Sequence, residues 1–379
     1  MKKIVLVPDS FKGTMSSETI CTVMERAIHT RLPEAQTVSL PVADGGEGSV
    51  DAFLTALGGE KIFLQVTGPD GDAVDGFYGL LPDGTAVVEM AAAAGLPQTK
   101  LRDPERTTTY GVGELLAHAA GRGAKKLILC LGGSATNDGG CGAAAACGVR
   151  FLRAGGECFV PVGGTLREIA RVDISNLDPA VRKLPVETMC DIDNPLCGDS
   201  GAAAIFGPQK GADAAMIARL DAGLACLAER MERDLGVSVR DLPGAGAAGG
   251  MGAGSVAFFG AALRPGIETV LDTVHFEEQL RDADLVLTGE GKLDTQSLRG
   301  KVVIGVARRA KKCGVPVAAI VGDIGDDVQQ PAYEAGVSGI FSTNRLAVPY
   351  EQARLRAETD LAATVENLLY WTTAMRRRL

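Results

Sequence analysis

Short runs of consecutive apolar residues near both ends of the chain constrain the fold more than any other feature. They occur at residues 4–7, 285–287, 317–321 and 339–341, and a further strand is predicted near 37–40. Uninterrupted runs of this kind are typical of parallel strands that are covered on both faces, because an exposed face requires alternating polar residues. Helical patterns lie between the runs, and the first helix has an N-cap signal at Ser16. This βα rhythm predicts an α/β fold.

The middle of the chain has a different character. Residues 60–90 predict short strands with turns at 69–71 and 82–84. Helices are predicted near 109–120 and 212–235, a strand at 126–131, and irregular structure over 150–190. Because the end segments share one character, we expect them to complete a single sheet, and clefts between domains are common ligand sites. Two or three domains in plain succession are the alternative.

The predicted architecture is therefore two α/β domains with the active-site cleft between them. One is a Rossmann-like parallel-sheet domain made from both chain ends, residues 1–60 plus 270–379. The other is a large inserted mixed α/β domain, residues 61–269. The length of 379 residues fits two or three domains.

Charge and composition exclude several classes of protein. The net charge of −9 argues against a nucleic-acid partner. The uncharged stretch 242–263 is long enough to cross a bilayer, but seven of its residues are glycine, so it predicts a glycine-rich loop and no membrane partner. Nine scattered cysteines match no zinc spacing and fit a reducing, cytoplasmic compartment. The sequence does not indicate the oligomeric state.

Standard catalytic motifs are weak or absent. No GxxxxGK[ST] sequence occurs, which excludes a P-loop. Residues 244–249 match GxGxxG but do not follow a clean strand, so close helix packing or a loop is the simpler interpretation than a dinucleotide site. Residues 132–136 resemble a nucleophile elbow, yet Thr136 stands where glycine is needed, and three histidines offer few triad partners.

Polar loops follow the predicted end-domain strands at their carboxyl ends, where open α/β sheets bind ligands. The first loop contains Asp9, Ser10 and Lys12. The second contains Asp44 and Glu47 among three glycines. Two carboxylates there predict a Mg²⁺ site, because Mg²⁺ prefers oxygen ligands, while backbone N–H groups of such loops reach anions. A tight turn is the alternative for one loop, but two at one sheet edge favour a site.

A third loop of this kind, residues 288–294, contributes Glu290 and Asp294. The middle segment adds a loop that follows a strand and opens a predicted helix, where free N–H groups favour a phosphate, although a capped helix start is compatible with the same residues. The loop consists of Gly132, Gly133, Ser134, Ala135, Thr136 and Asn137.

Two acids lie two positions apart at Asp191 and Asp193, followed by Asn194. In a strand they share one face, which suits a general base beside a metal or substrate ligand, whereas an Asx-turn is the ordinary alternative. Lys210 supplies a loop cation. Glycine loops, acids and lysines without a redox motif suit phosphoryl transfer, which depends on positioning and charge neutralisation.

Seven blocks together resemble the bacterial glycerate kinase family of the type that forms 2-phosphoglycerate. They are residues 8–13, 41–48, 132–140, 191–198, 206–212, 243–254 and 287–301. The resemblance extends from the first strand to about residue 345 in one order, and the motifs show no departure. It implies ATP-dependent phosphorylation of D-glycerate with Mg²⁺, in the cytoplasm, by two α/β domains around a cleft.

Chemistry then suggests a role for each candidate. We expect Asp191 to be the base that accepts the hydroxyl proton, and Lys12 and Asp44 to act with it in catalysis. Asp44 and Glu47 are the predicted Mg²⁺ ligands. Substrate contacts are predicted for Asp9, Ser10, Asp193, Asn194 and Lys210. Phosphate or nucleotide contacts are predicted for the loop 132–137 and for Glu290 and Asp294.

Other functions remain open on the residues alone. The product of the same reaction can be 3-phosphoglycerate, since the two hydroxyls of glycerate lie on adjacent carbons. A kinase of another small hydroxy acid differs only in a few pocket residues. A metabolite sensor on the same fold binds ligand and releases no ADP, and a nicotinamide dehydrogenase rests only on residues 244–249.

Overall fold

The computed structural model describes residues 1–43 and 45–376 and confirms the predicted α/β class. Its strands, in chain order, are β1 (Lys3–Pro8), β2 (Gln36–Ser39), β3 (Glu60–Thr67), β4 (Ala73–Leu80), β5 (Thr85–Glu89), β6 (Lys126–Cys130), β7 (Arg150–Leu152), β8 (Cys158–Phe159), β9 (Arg171–Asp173), β10 (Val186–Met189), β11 (Ala262–Arg264), β12 (Leu285–Gly289), β13 (Lys292–Leu293), β14 (Val317–Val321), β15 (Asp323–Ile324) and β16 (Val337–Ser342).

The helices lie between these strands. They are α1 (Ser17–Arg31), α2 (Ser49–Leu57), α3 (Ala91–Ala94), α4 (Tyr110–Gly121), α5 (Cys141–Ala146), α6 (Pro179–Arg182), α7 (Ala202–Phe206), α8 (Ala214–Leu235), α9 (Ala247–Phe259), α10 (Gly266–Thr273), α11 (Phe276–Gln279), α12 (Val302–Lys312), α13 (Gln329–Ala335), α14 (Tyr350–Ala353) and α15 (Ala357–Arg376). Short 3₁₀ turns occur at 163–168, 208–210, 297–299 and 354–356.

The chain divides into two compact units. Unit 1 comprises Met1–Asp44, Thr55–Leu57 and Pro265–Leu379, and unit 2 comprises Gly45–Leu54 and Gly58–Arg264. The domain boundaries expected from the sequence, 1–60 plus 270–379 and 61–269, stay a prediction.

Unit 1 is built on a five-stranded sheet in the order β16-β14-β12-β1-β2. Every neighbouring pair is parallel, as the apolar runs predict. Alternate residues of β1, Ile4 and Leu6, join a core formed with α1 and α15. Helix α1 begins where predicted, because the Ser16 hydroxyl accepts a hydrogen bond from Thr19 N at 3.2 Å. The carboxyl ends of the parallel strands therefore lie along one edge of this sheet.

Unit 2 contains a six-stranded mixed sheet in the order β11-β10-β6-β5-β4-β3. Its β5, β6, β10 and β11 are parallel, whereas β3, β4 and β5 form the antiparallel meander that the turns at 69–71 and 82–84 predict. The prediction of irregular structure over 150–190 is wrong, because β7, β8 and β9 form a small antiparallel sheet there. These strands are only two or three residues long, too short to show an alternating pattern.

The glycine-rich stretch 242–263 is also more ordered than predicted, because most of it is α9. Gly249 and Gly250 adopt positive φ angles of 66° and 89°, which kinks the segment, and the helix then continues to Phe259. Glycine has a low helix propensity, but here close packing outweighs it: a Cβ on Gly254 would overlap the backbone of Gly139. No helix among the described residues is long and apolar enough to cross a membrane.

Two glycines of α4 give a matched test of this close packing. A Cβ on Gly113 would overlap the Ala143 backbone of α5, whereas a Cβ on Gly121 would meet nothing within 4 Å. We expect Gly113→Ala to destabilise the protein by about 1–3 kcal/mol through overpacking. Gly121→Ala should be neutral or stabilise it by up to about 1 kcal/mol, because alanine favours the helix. The midpoint of urea unfolding measures both, and equal midpoints would contradict the packing argument.

Candidate active site

The candidate residues of unit 1 lie at the carboxyl ends of β1 and β12, as predicted. Asp9 follows β1 directly, and its backbone N donates a hydrogen bond to Gly289 O at 2.8 Å. The next turn is closed by Phe11 N, which donates to Met15 O at 2.9 Å. Lys12 lies in this turn with an exposed side chain, and Ser10 is half-buried. The loop therefore presents an ammonium group at the ligand-binding edge of the sheet.

Glu290 follows β12 and is buried, with 7% of its surface exposed. Burial raises the pKa of its carboxyl group to about 7, and the negative charge of Asp9 acts in the same direction. A hydrogen bond from Ser297 and the positive charge of Lys301 oppose this shift. A carboxylate in this position is costly to ionise unless something else compensates its charge.

Asp294 has a local structural role in the same loop. Its Oδ1 accepts hydrogen bonds from Gln296 N at 2.9 Å and from Ser297 N at 3.3 Å. Its own N donates to Ser297 Oγ at 3.1 Å. These bonds fix the turn that leads to α12, and a nucleotide contact of Asp294 stays a prediction.

A cavity of about 390 Å³ lies within unit 1, which is the size range of small-molecule sites. Its lining includes Phe11, Lys12, Gly291, Lys292 and Tyr350. The cavity combines cationic side chains with apolar and aromatic surface, so it suits an anionic ligand that has a flat or apolar part.

Three loops of unit 2 meet at the carboxyl ends of its parallel strands. Gly132 N donates to Gly45 O at 2.8 Å, and a Cβ on Gly132 would overlap Gly46. A Cβ on Gly45 would lie 3.2 Å from Met189 Cβ, at the end of β10. Glycine at position 132 is therefore required for the close contact with Gly46, and Gly45 gives the loop 45–48 a tight approach to β10. We expected this loop at the edge of the first sheet, but its glycines belong to unit 2.

Asp138 organises the start of α5. It is fully buried, and it accepts hydrogen bonds from Thr109 N and Thr109 Oγ1, both at 2.8 Å, and from Gly140 N and Gly142 N at 3.1 and 3.2 Å. Burial raises the pKa of the Asp138 carboxyl, and these donors oppose the shift. The expectation of free N–H groups at this helix start is wrong, because the Asp138 carboxylate takes two of them.

Lys210 points inward. It is 2% exposed, and its Nζ donates to Thr136 O at 2.6 Å and to Ser134 Oγ at 3.0 Å. Burial lowers the pKa of Lys210 to about 7, and the negative charge of Asp138 opposes the shift. Thr136 and Asn137 are buried too, and Thr136 Oγ1 and the Asn137 amide have no hydrogen-bond partner among the described residues. The lysine holds the loop 132–137, and substrate binding by Lys210 stays a prediction.

The acids after β10 do not lie in a strand. The strand ends at Met189, so Asp191 and Asp193 occupy an irregular loop and both are exposed. The expectation that they share one face of a strand is wrong. Asn194 anchors this loop in two ways. Its side-chain Nδ2 donates to Ser200 O at 2.8 Å, and its backbone carbonyl oxygen accepts a hydrogen bond from Gly246 N at 3.1 Å.

The predicted metal ligands are only partly visible. Asp44 lies outside the described residues, and Glu47 is exposed in the turn before α2. Within residues 1–43 and 45–376, no group of three or more His, Cys, Asp or Glu side chains is arranged to hold a metal ion. A Mg²⁺ site with one or two protein carboxylates remains compatible with this, because Mg²⁺ usually keeps waters and phosphate oxygens as its other ligands.

Comparison with known proteins decides the family. A sequence model described as "Glycerate kinase family" matches residues 4–373. The chain belongs to the glycerate kinase family. It is 47% identical over 344 residues to glycerate 2-kinase of Escherichia coli K12, and the match covers 90% of both chains. It is 45% identical over 372 residues to a glycerate kinase of Halalkalibacterium halodurans, with 97% of both chains covered.

A solved structure agrees with this assignment. The crystal structure of a Salmonella typhimurium LT2 protein, provisionally identified as glycerate kinase 2, matches with a TM-score of 0.89 at 44% identity and covers 99% of both chains. Membership of the glycerate kinase family makes the protein a kinase, and it confirms the resemblance carried by the seven motif blocks.

Sequence reasoning missed one buried acid beside the glycine loop. Glu89 ends β5, is 1% exposed, and accepts a hydrogen bond from Val50 N at 2.6 Å, in the first turn of α2. Burial raises its pKa to about 7, while backbone N–H groups of Val50 and Gly48 oppose the shift. The only signal in the sequence was an acid directly after the apolar residues 86–88. Glu89 holds the loop 45–48 against the sheet.

Lys210 generates a prediction about pH. Its folded-state pKa lies near 7 and its ordinary value is 10.5, so between these values the unfolded chain binds the extra proton. The stability that Lys210 contributes therefore rises with pH over this window and is lost as pH falls towards 7. Lys210→Met removes the titrating group. We expect the free energy of unfolding of the wild type, relative to this variant, to increase from pH 7 to pH 10 in urea titrations. Parallel curves would contradict the assignment.

Proposed function

We propose that the protein catalyses the ATP-dependent phosphorylation of D-glycerate at its C2 hydroxyl, forming 2-phosphoglycerate and ADP. One observation carries the proposal. Met189 lies beside the point where the glycine loops 45–48 and 132–137 meet in unit 2, and exposed Asp191 follows it by two residues. Family membership supports the substrate, and the name of the Escherichia coli relative, glycerate 2-kinase, supports transfer to C2.

The reaction requires a base and close positioning. The C2 hydroxyl oxygen of glycerate forms a bond to the γ-phosphorus of ATP, while the bond between that phosphorus and the β,γ-bridging oxygen breaks and ADP leaves. The hydroxyl proton is proposed to pass to the Asp191 carboxylate, which is exposed. Asp193 and Asn194 are proposed to orient the substrate beside it. Because Asn194 is itself tied to Ser200 O and to Gly246 N, its backbone is held in place.

The remaining assignments concern anion binding. Lys12 is proposed to neutralise the glycerate carboxylate or the transferred phosphoryl group, with Asp9 and Ser10 beside it. The loop 132–137, held by Lys210, is proposed to bind phosphate, with Glu290 and Asp294 as further nucleotide contacts. The 390 Å³ cavity beside Lys12 supports a nucleotide-sized ligand in unit 1.

Mg²⁺ is the expected companion of ATP. Glu47 fits the requirement, because it offers an exposed carboxylate in a turn bordered by glycines, and Asp44 is proposed as the second ligand. When bound, Mg²⁺ neutralises charge on the phosphate oxygens. We also propose that the protein works in the cytoplasm, because all nine cysteines are free thiols, as a reducing compartment favours.

The base assignment predicts a selective loss of turnover. Asp191→Asn keeps the shape of the side chain but cannot accept the hydroxyl proton, so we expect kcat to fall by about 10²-fold or more. Asp199→Asn changes an exposed acid of the same loop and should retain normal turnover. Near-normal kcat in a folded Asp191→Asn protein would show that another group is the base. A coupled assay of ADP release measures kcat for both variants.

The substrate and product are settled by one further measurement. ADP release should depend on D-glycerate and should be much slower with glycerol or lactate, and ³¹P–¹H NMR should place the phosphate on C2. Phosphate on C3 would make the product 3-phosphoglycerate. Faster turnover of another hydroxy acid would change the substrate. Ligand binding without ADP release would make the protein a sensor.

A further inference from the structure

The cavity of about 390 Å³ in unit 1 lies along the ligand-binding edge of the parallel sheet. Its lining includes Lys12, Gly291, Gly322 and Thr343. These residues come after β1, β12, β14 and β16 respectively, and the four strands are neighbours in the sheet. The cavity is therefore formed by the loops at the carboxyl ends of four adjacent strands.

The strand order places a topological switch point at this edge. From β1 the chain continues through α1 to β2 on one side of β1, whereas β12 lies on the other side and continues through α12 to β14. The connections after β1 and β12 therefore lead in opposite directions. Loops that diverge in this way leave a crevice, where open α/β sheets bind ligands such as nucleotides.

The segment after β16 supplies an aromatic side chain to the cavity. Tyr350 begins α14 and lines the cavity, and 56% of its surface is exposed. Its hydroxyl lies against the turn after β1, because a Cβ on Gly13 would be only 2.8 Å from Tyr350 Oη. Gly13 has a positive φ of 81°, a conformation that glycine adopts without strain. The tyrosine side chain thus reaches from α14 to the turn that carries Lys12, and much of its surface is accessible to a ligand.

The lining has two chemical characters. Phe11, Val348 and Tyr350 supply apolar and aromatic surface, whereas Lys12 and Lys292 supply positive charge. Glycerate has a carboxylate and two hydroxyl groups and no flat apolar part, so an aromatic wall offers it little. A purine nucleoside phosphate has a flat base and anionic groups, and a cavity of this volume is in the size range that accommodates such a ligand.

We propose that the cavity in unit 1 holds the adenine base of ATP and that the ring of Tyr350 stacks on this base. Nucleobases stack on aromatic side chains because both present flat π faces, and loss of such a contact weakens binding by about 5- to 150-fold. Lys12, in the same lining, suits the phosphate groups of the same molecule, because charge-assisted contacts between ammonium and phosphate are strong.

The inference rests on the proposed function for its choice of ATP and adds which part of the nucleotide the cavity holds and which residue recognises it. The triphosphate chain separates the base from the phosphorus that is transferred. Tyr350 therefore determines the affinity for the nucleotide rather than the rate of the chemical step, because its contact is the same before and during transfer.

Calorimetric titration of the full chain with ATP, without glycerate, tests the stacking contact. Tyr350→Leu keeps an apolar side chain and removes the ring, so we expect the Kd for ATP to rise about tenfold or more. Tyr350→Phe keeps the ring and should restore the affinity to within about threefold of the wild type. Tyr333→Leu is the matched control, because Tyr333 is a 44% exposed tyrosine on α13 of the same unit, outside the described lining of the cavity, and this variant should bind ATP as the wild type does.

Inorganic tripolyphosphate separates the loss of a base contact from a general loss of the site. It has the phosphate chain of ATP and no base, so Tyr350→Leu should bind it with the affinity of the wild type. Steady-state kinetics give a second readout that a merely structural role would not produce. In Tyr350→Leu the KM for ATP should rise about tenfold, while kcat at saturating ATP changes by less than about twofold, as expected when binding shared by ground state and transition state is removed.

Four results would overturn the inference: no ATP binding by the wild type, wild-type affinity for ATP in Tyr350→Leu, equal losses of affinity for ATP and tripolyphosphate in that variant, or the same loss in Tyr333→Leu. Kinase activity is scored separately. Glycerate-dependent ADP release with unaltered ATP binding in Tyr350→Leu leaves the proposed function and removes this base site. ATP binding that depends on the Tyr350 ring, without glycerate-dependent ADP release, retains the base site and removes the proposed function.

Discussion

The parallel pairing of β1 with β12 is the contact on which unit 1 depends. It brings residues from opposite ends of the chain together: the Thr288 hydroxyl donates to Val7 O across 281 positions. The entropy of closing such a loop grows only slowly with its length, so five paired residues and a shared apolar core suffice to hold it. Because the strands run in the same direction, the loops that follow them begin at one edge. Asp9 and Glu290 become neighbours for this reason alone.

In unit 2, close contacts between backbone segments bring the candidate loops together. A Cβ on Gly45 would meet Met189 and a Cβ on Gly132 would overlap Gly46, so the loops 45–48 and 132–137 can pack this closely only because these positions lack side chains. Polar side chains then hold the two loops in the positions that the glycines allow. Glu89 accepts from the start of α2, and Lys210 donates to the loop 132–137. The loops that carry the proposed chemistry are therefore positioned by buried groups behind them.

Strong local patterns in the sequence predicted much of this structure. The predicted strand positions match all five strands of the parallel sheet, and α4 (Tyr110–Gly121) lies within one residue of the predicted 109–120 at each end. The failures have physical causes. A strand of three residues such as β9 is fixed by pairing with β7, about twenty residues earlier in the chain, and not by a local pattern. Helix α9 forms because its glycines pack closely, which propensity alone does not reveal. The inward direction of Lys210 and the burial of Glu89 and Asp138 depend on tertiary contacts, so no local pattern marks them.

The buried ionisable groups of the two units differ in how the protein compensates their charge. Asp138 is buried and accepts four hydrogen bonds, so its charge is met within the protein. Lys210 is buried with two acceptors, and burial favours its neutral form, in which the amine still donates both bonds. Glu290 keeps one buried oxygen that accepts no hydrogen bond from the part of the chain that the structure describes. A buried group whose charge the fold leaves unmet favours its neutral form, and burial raises the pKa of Glu290 to about 7 for this reason.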